Sequence, residues 1–181
     1  MRARDWFLLI FLSVLWGASF FFVAIALRGG LAPFTIVLAR VFIAALVLLP
    51  LVPLMGHHMP RDLPMWRKFL VQSLLNNVFP FSLIVYGQLF VPSTIAAVTN
   101  ATTPLFALLV ARVLAGEALS LNKLMGVLLG IAGVAILIGA EVAGASLSSL
   151  FGMICLLSGS LFYGISAFWM RRLREVPPIV S

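Results

Sequence analysis

Residues 76–80 (NNVFP) and 100–104 (NATTP) share an Asn-x-x-x-Pro spacing within long apolar segments. In a helix, a proline cannot donate a hydrogen bond to the carbonyl four residues earlier, and its ring crowds that carbonyl. Pro80 and Pro104 would therefore free the carbonyls of Asn76 and Asn100. Backbone groups freed at membrane depth are tolerated only where they line a cavity or are buried in protein. The spacing predicts helix kinks at Pro80 and Pro104 beside a polar site.

The candidate ligands for a solute lie around these kinks. At about 100° per residue, the polar residues of the third apolar segment fall on one side of a helix, namely Gln72, Ser73, Asn76, Asn77, Gly87 and Gln88. Two interpretations stay open. The amides line a cavity and bind substrate through Asn76, Asn77, Asn100 and Thr103, or they bond to neighbouring helices at about 0.6 kcal/mol each on average.

Arg40 and Trp16 are the other candidate substrate-binding residues. Arg40 lies seven residues into the second apolar segment, about 10 Å below its outer end at 1.5 Å per residue. A charge at that depth is costly and indicates a function with a partner, either Glu141, a group elsewhere in the protein or an anionic substrate. The alternative is that Arg40 extends to the interface. Trp16 either stacks on substrate or packs between helices.

The composition excludes a soluble domain. Of the 181 residues, 63% are hydrophobic and 9% are charged, and the mean hydropathy is +1.19, whereas a soluble domain carries about 25% charged residues. Cys155 is the single cysteine, so a disulfide framework is excluded, and no Cys/His spacing indicates a metal. The net charge of +7 comes from basic residues placed between apolar runs, which indicates a membrane rather than a nucleic acid. We therefore predict neither a metal nor a cofactor.

Six segments are long enough to span a bilayer, which takes about 20 apolar residues. They run over residues 6–27, 33–54, 69–90, 93–114, 121–139 and 150–170. The predicted fold class is an all-α membrane protein with six transmembrane helices. Lys and Arg concentrate at the ends that are cytoplasmic if the N-terminus is inside, while Arg28 is the one basic residue of the outer connectors. Because basic loops favour the cytoplasm, both termini of the chain are predicted to be cytoplasmic.

The first and sixth segments echo each other. A shift of 147 residues places Ser13 on Ser160, Trp16 on Tyr163, Gly17 on Gly164, Ser19 on Ser166 and Phe21 on Phe168. The sixth segment would run through the membrane in the opposite direction to the first. An inverted-topology repeat of this kind is typical of secondary transporters.

The chain resembles the EamA-type members of the drug/metabolite transporter superfamily. The matching residues, in chain order, are Trp16-Gly17, Ala39-Arg40, Tyr86, Ala96-Ala97, Thr103-Pro104, Gly116-Glu117, Gly126, Gly130 and Gly133. The resemblance implies ten helices in two inverted five-helix repeats, with residues 1–140 forming the first repeat and residues 141–181 opening the second. The last three glycines put small residues on one face for close helix packing. On this basis we expect a truncated chain whose partners are the missing C-terminal half, the lipid bilayer and a small-molecule substrate, with a homo-oligomer as a further expectation.

The resemblance also implies a function. It predicts a secondary transporter of small metabolites or drugs in the bacterial inner membrane, an exporter rather than an importer, working by alternating access around a midplane site. No ATP-binding motif is present, so a gradient would drive transport. The rival classes are a non-transporting subunit of a membrane complex and a membrane-embedded enzyme. We predict that the chain is not an enzyme, because no nucleophile, base or metal cluster converges in the six segments.

The predicted orientation can be tested with a reporter that is active only in the cytoplasm. Fusions after residue 61, 118 or 174 should be active, and fusions after residue 30, 92 or 142 should be silent, because Lys and Arg retain the connectors near the former positions inside. Activity after residue 142 would contradict the inverted repeat, since the sixth helix would then run parallel to the first.

Overall fold

The computed structural model describes residues 3–117, 120–142 and 146–181, and the fold of these residues is built from helices and their connections. Six helices follow one another, here numbered α1 (Ala3–Arg28), α2 (Pro33–Leu54), α3 (Leu63–Gly87), α4 (Ser93–Ala115), α5 (Leu121–Val142) and α6 (Leu147–Trp169). A 3₁₀ turn, Met170–Leu173, extends α6. Five of the described helices are long and apolar enough to cross a membrane, and α5 adds a shorter apolar stretch, Leu121–Ile136. The all-helical membrane class is thereby confirmed.

The start of α3 differs from the prediction. The helix begins at Leu63 instead of residue 69, because Asp62 caps it: the Asp62 carboxylate accepts a hydrogen bond from the Met65 N–H at 3.0 Å, and Pro64 occupies the first turn. Both features are typical of a helix N-terminus. The helix extends past the apolar run that the hydropathy pattern marks, and it carries Arg67 and Lys68 on its first turns.

The sixth helix lies at the centre of the described structure. Half of its most apolar 18-residue stretch is buried, against 11% in α1. Its residues Met153 and Leu156 form one core cluster with Phe20 of α1, Ile84 of α3 and Ile95 of α4. α3 and α4 therefore pack most extensively against the sixth helix, and α1 reaches the same core through Phe20.

The outer faces of α1 and α2 are apolar and exposed. Phe7 and Phe22 of α1 are 67% and 64% exposed, and Phe34 and Leu38 of α2 reach 69% and 70%. In water such a surface would drive aggregation, whereas lipid tails solvate it as well as a protein interior does. The composition of these faces therefore suits contact with lipid.

Glycines bring α6 into backbone contact with α3 and α4. A Cβ added at Gly152 would lie 2.8 Å from Cβ of Phe90 and 3.0 Å from the carbonyl oxygen of Gly87, and a Cβ at Gly159 would lie 2.8 Å from Cγ1 of Ile84. A Cβ at Gly164 would lie within 3 Å of the backbone of α4, at Phe106 and Ala107. Small residues allow helices to approach closely in lipid, where packing stabilises association.

The glycines of α5 that the sequence marks for packing have a different environment. A Cβ at Gly130 would contact the Leu105 side chain at 3.0 Å, but Gly126 and Gly133 have no heavy atom of another described element within 4 Å. The close helix contacts of the described residues therefore lie on α6 rather than along the whole glycine series of α5. The reason is that α5 packs mainly against residues Ser93–Asn100 of α4, and Gly130 adds its contact with Leu105.

Substituting alanine at two glycines should separate these environments. Gly152→Ala should destabilise the folded chain by about 1–3 kcal/mol, because the added methyl group overpacks a contact with backbone. Gly133→Ala, the matched control in open space, should be neutral or slightly stabilising because alanine favours a helix. Unfolding of the purified variants in mixed micelles measures both changes. Equal losses at the two positions would contradict the central placement of α6.

Candidate functional site

The third helix changes geometry immediately before Pro80. An α-helical part, Leu63–Ser73, leads into a π-helical turn, Leu74–Val78, and then into a second α-helical part, Phe79–Gly87. The N–H of Phe79 bonds to the carbonyl of Leu74, five residues earlier. The wider turn accommodates the fully buried ring of Pro80 and places Asn76 and Asn77 within the irregular segment. Single π turns of this kind often mark functional sites.

The fourth helix breaks at residues 101–102, between Ser93–Asn100 and Thr103–Ala115. Pro104 occupies the first turn of the second part. The hydroxyl of Thr103 donates a hydrogen bond to the carbonyl of Asn100 at 2.8 Å. A neighbouring side chain thus satisfies the carbonyl that the proline leaves free, and the Thr103 oxygen keeps its capacity to accept a further bond.

Hydrogen bonds tie the polar side of α3 to α6. The Gln72 amide Nε2 donates to Oγ of Ser166 at 2.9 Å, and the Ser166 hydroxyl donates to Oδ1 of Asn76 at 2.9 Å. Oε1 of Gln72 and Oδ1 of Asn100 are buried without a partner among the described residues. Buried polar atoms are normally paired, so these two oxygens mark positions where a ligand or water completes the bonding.

Four of the six predicted substrate-binding residues line one cavity. This central cavity of ≈ 370 Å³ lies between α1, α3, α4 and α6, and its lining includes Trp16, Asn76, Asn100 and Thr103, with Pro104 beside them. The two helix interruptions therefore meet at the same cavity. Its lining combines amides, hydroxyls and aromatic rings, a composition typical of a site that orients a small solute.

The other two predicted ligands lie in adjoining cavities. Asn77 lines a cavity of ≈ 630 Å³, called the inner cavity after the predicted orientation, with Arg174 and the C-terminal residues, and this cavity shares Gln72 and Asn76 with the central one. Arg40 lines a pocket of ≈ 10 Å³, called the outer pocket on the same basis, which shares Trp16 and Tyr163 with the central cavity. The three spaces form a series that narrows from the C-terminal end of α6 toward Arg40.

Three polar or aromatic residues of the central cavity were not among the predicted ligands. Gln72, Tyr163 and Ser166 all line it, and the rings of Tyr163 and Trp16 are in contact at 6.1 Å between centroids. In the sequence, Tyr163 and Ser166 stand out only as the repeat partners of Trp16 and Ser19. That correspondence is the signal that could have identified them, because residues equivalent under a pseudo-two-fold axis meet where the axis passes.

A comparison with known proteins identifies the family. The family model described as the EamA-like transporter family matches residues 5–139. The chain belongs to this family. The match covers α1 to α5 up to residue 139, so that all the predicted site residues of this EamA-like chain fall within it.

Curated relatives of the EamA-like chain are also transporters by name. The chain is 24% identical to the "Uncharacterized transporter YoaV" of Bacillus subtilis over 158 residues, which are 87% of this chain and 54% of the relative. It is 30% identical over 163 residues to the "Uncharacterized inner membrane transporter YedA" of Escherichia coli K12, at 90% and 51% coverage. The chain thus spans about half the length of the curated relatives it matches. No solved structure matches it.

An ion pair joins the C-terminal ends of α4 and α6. Arg171 donates a hydrogen bond to the Glu117 carboxylate, and Arg112 holds the same loop by donating to the Glu117 carbonyl oxygen at 3.2 Å. The bond from Arg171 lowers the pKa of Glu117, with a further contribution from the positive charges of Arg171, Lys123 and Arg174. The carboxylate therefore stays ionised at neutral pH, and the pair is lost as the pH falls through this lowered pKa.

Removing the Ser166 hydroxyl should show how much the hydrogen bonds between α3 and α6 contribute to stability. Ser166→Ala should destabilise the EamA-like chain, and a double-mutant cycle with Asn76→Ala should give a coupling of about 0.6–1.7 kcal/mol, the range for interhelical bonds in membranes. Unfolding in mixed micelles provides the four free energies. Ser13→Ala is the control, because that exposed hydroxyl bonds only within α1, to the carbonyl of Leu9. A coupling of zero would mean that Ser166 and Asn76 do not bond in the membrane.

Proposed function

We propose that this EamA-like chain forms one wall of the solute site of a secondary transporter. The observation that supports the proposal is the central cavity, where the interruptions of α3 and α4 meet amide, hydroxyl and aromatic side chains. Discontinuous helices near the midplane form the substrate sites of many transporters, because their irregular backbone lies in a cavity rather than in lipid.

The series of cavities supports alternating access. Under the predicted repeat, Trp16 corresponds to Tyr163 and Ser19 to Ser166. The outer pocket is lined by Ser19 with the aromatic pair, and the central cavity by Ser166 with the same pair. The two spaces thus correspond to each other under the repeat, one wide and one nearly closed. Rocking of one repeat against the other would exchange them and carry a solute past the aromatic pair.

The same arrangement supports a direction of transport and bears on the energy source of transport. In the predicted orientation the inner cavity, the widest of the three connected spaces, faces the cytoplasm, which favours loading from inside and export of small metabolites or drugs across the bacterial inner membrane. No carboxylate lines the central cavity among the described residues, so any proton coupling uses groups outside this lining. The chemistry of the site is binding and not catalysis, and we infer that the protein is not an enzyme.

The second wall of the site is part of the proposal. Transporters with inverted repeats place the substrate between the two repeats, and the described residues supply one five-helix repeat with α6. We propose that four further helices, or a second copy of the chain, complete the cavity and that transport requires them.

Accessibility of single cysteines tests the solute cavity. In a Cys155→Ala background, Asn76→Cys and Asn100→Cys should react in membranes with small water-soluble thiol reagents, because both positions line the cavity. Asn76→Cys should react faster, since position 76 also lines the wider inner cavity. A transported solute, found by screening candidate metabolites, should slow both reactions.

The controls are Leu46→Cys and Leu128→Cys, whose side chains are 57% and 52% exposed on lipid-facing surfaces. Both should stay unreactive, because a charged reagent does not enter the hydrocarbon. Silence at both asparagine positions would refute the cavity and leave these amides as bonds between helices.

A further inference from the structure

The outer pocket has a composition that the proposed solute site does not explain. It lies between α1, α2, α3 and α6, and its polar lining consists of Ser19, Arg40, Gln88, Tyr163 and the indole of Trp16. Its volume of ≈ 10 Å³ corresponds to about one water-sized probe. It can hold a single small ion or the tip of a carboxylate, but not a whole metabolite.

Arg40 directs its charge into the protein and has no acidic partner among the described residues. Its guanidinium carbon lies 4.3 Å from the centre of the Phe81 ring, so the side chain faces α3 and does not extend away from the bundle. Among the described residues, Arg40 makes neither an ion pair nor a hydrogen bond. The side chain of Glu141 lies outside the described part of the chain. A contact with an aromatic face offsets part of the cost of a partly buried cation, but it leaves the N–H groups unpaired.

Gln88 adds a second, independent indication of a ligand. Both its Nε2 and Oε1 atoms are buried without a hydrogen-bond partner among the described residues. Leaving such a group unpaired is costly because its bonds to water are lost, and native structures rarely do so. The hydroxyls of Ser19 and Tyr163 are also free of hydrogen bonds within the described residues. Donors therefore predominate in a pocket that has no negative charge among its described lining.

We propose that this outer pocket binds one small anionic group, held by Arg40 and Gln88 with the hydroxyls of Ser19 and Tyr163. A water molecule would satisfy single hydrogen bonds but would leave the charge of the partly buried guanidinium uncompensated, whereas an anion satisfies both. The anionic group is either a free halide ion or the carboxylate of a solute that reaches past Trp16 and Tyr163 from the central cavity. Only the second source rests on the proposed function, and it would make the solutes of this transporter carboxylates.

The test measures the thermal unfolding of the purified full chain in lipid nanodiscs. Sodium chloride, bromide and acetate are titrated against sodium methanesulfonate, whose tetrahedral head exceeds the pocket, at constant ionic strength so that screening is unchanged. A ligand that binds the native state raises the unfolding midpoint in a saturable way. We expect this rise for a halide, for acetate or for both. A halide response alone identifies a free ion, and an acetate response identifies a carboxylate site.

Variants assign the response to the pocket. Arg40→Gln should weaken the apparent affinity by about 10- to 100-fold, the effect of losing a charged hydrogen bond, and Gln88→Leu should weaken it less. Arg40→Lys keeps the charge and should retain part of the response. This variant distinguishes the loss of the charge in Arg40→Gln from a loss caused by misfolding. Arg28→Gln is the matched control at an exposed arginine and should change nothing.

Two results would overturn the proposal. One is the absence of any saturable rise in the wild-type chain. The other is a rise that appears only in Glu141→Gln, which would show that Glu141 occupies the pocket as the partner of Arg40. Both results are independent of the cysteine accessibility of positions 76 and 100. A failure of the anion pocket can therefore be distinguished from a failure of the proposed solute cavity.

Discussion

Lipid cannot supply hydrogen bonds to polar groups, so the polar groups of α3 and α4 need partners within the protein. The placement of α6 provides some of these partners. Pro80 and Pro104 interrupt two helices that also carry amides, so this part of the bundle needs polar partners from the protein itself. Ser166 supplies bonds to Gln72 and Asn76, while Thr103 satisfies the Asn100 carbonyl from within α4. The irregular backbone is stable in the membrane because a sixth helix covers it.

Side-chain size then decides where the bundle is tight and where it is open. Gly87 of α3 and Gly152 of α6 bring the two backbones together, and Gly159 continues that contact. Closer to the C-terminal end of α6, the lining changes to larger groups such as Met170, and cavities of ≈ 370 and ≈ 630 Å³ separate the helices. Close packing at one end and bulky or polar side chains at the other give a bundle that is closed on one side and open on the other.

The aromatic pair of Trp16 and Tyr163 lies between the closely packed part of the bundle and the part that contains the cavities. It lines both the central cavity and the pocket of Arg40, so any solute that moves between them must pass it. The two residues are also equivalent under the predicted inverted repeat. A contact between equivalent residues is expected near a pseudo-two-fold axis, which is where inverted-repeat transporters bind their substrates.

Much of the fold of this protein could be predicted from its sequence, because it depends on interactions between residues close together in the chain. Hydropathy predicts the membrane class and the helices. The missing N–H of proline predicts the interruptions near Pro80 and Pro104, because its effect acts within one helix. The central position of α6 does not follow, because α5 and α6 both carry several glycines and only the assembled bundle decides which of them meet a neighbouring helix. For the same reason the pairing of Ser166 with Asn76, 90 residues apart, and the convergence of Arg40 with Gln88 depend on tertiary structure, since contacts between distant segments leave no local pattern.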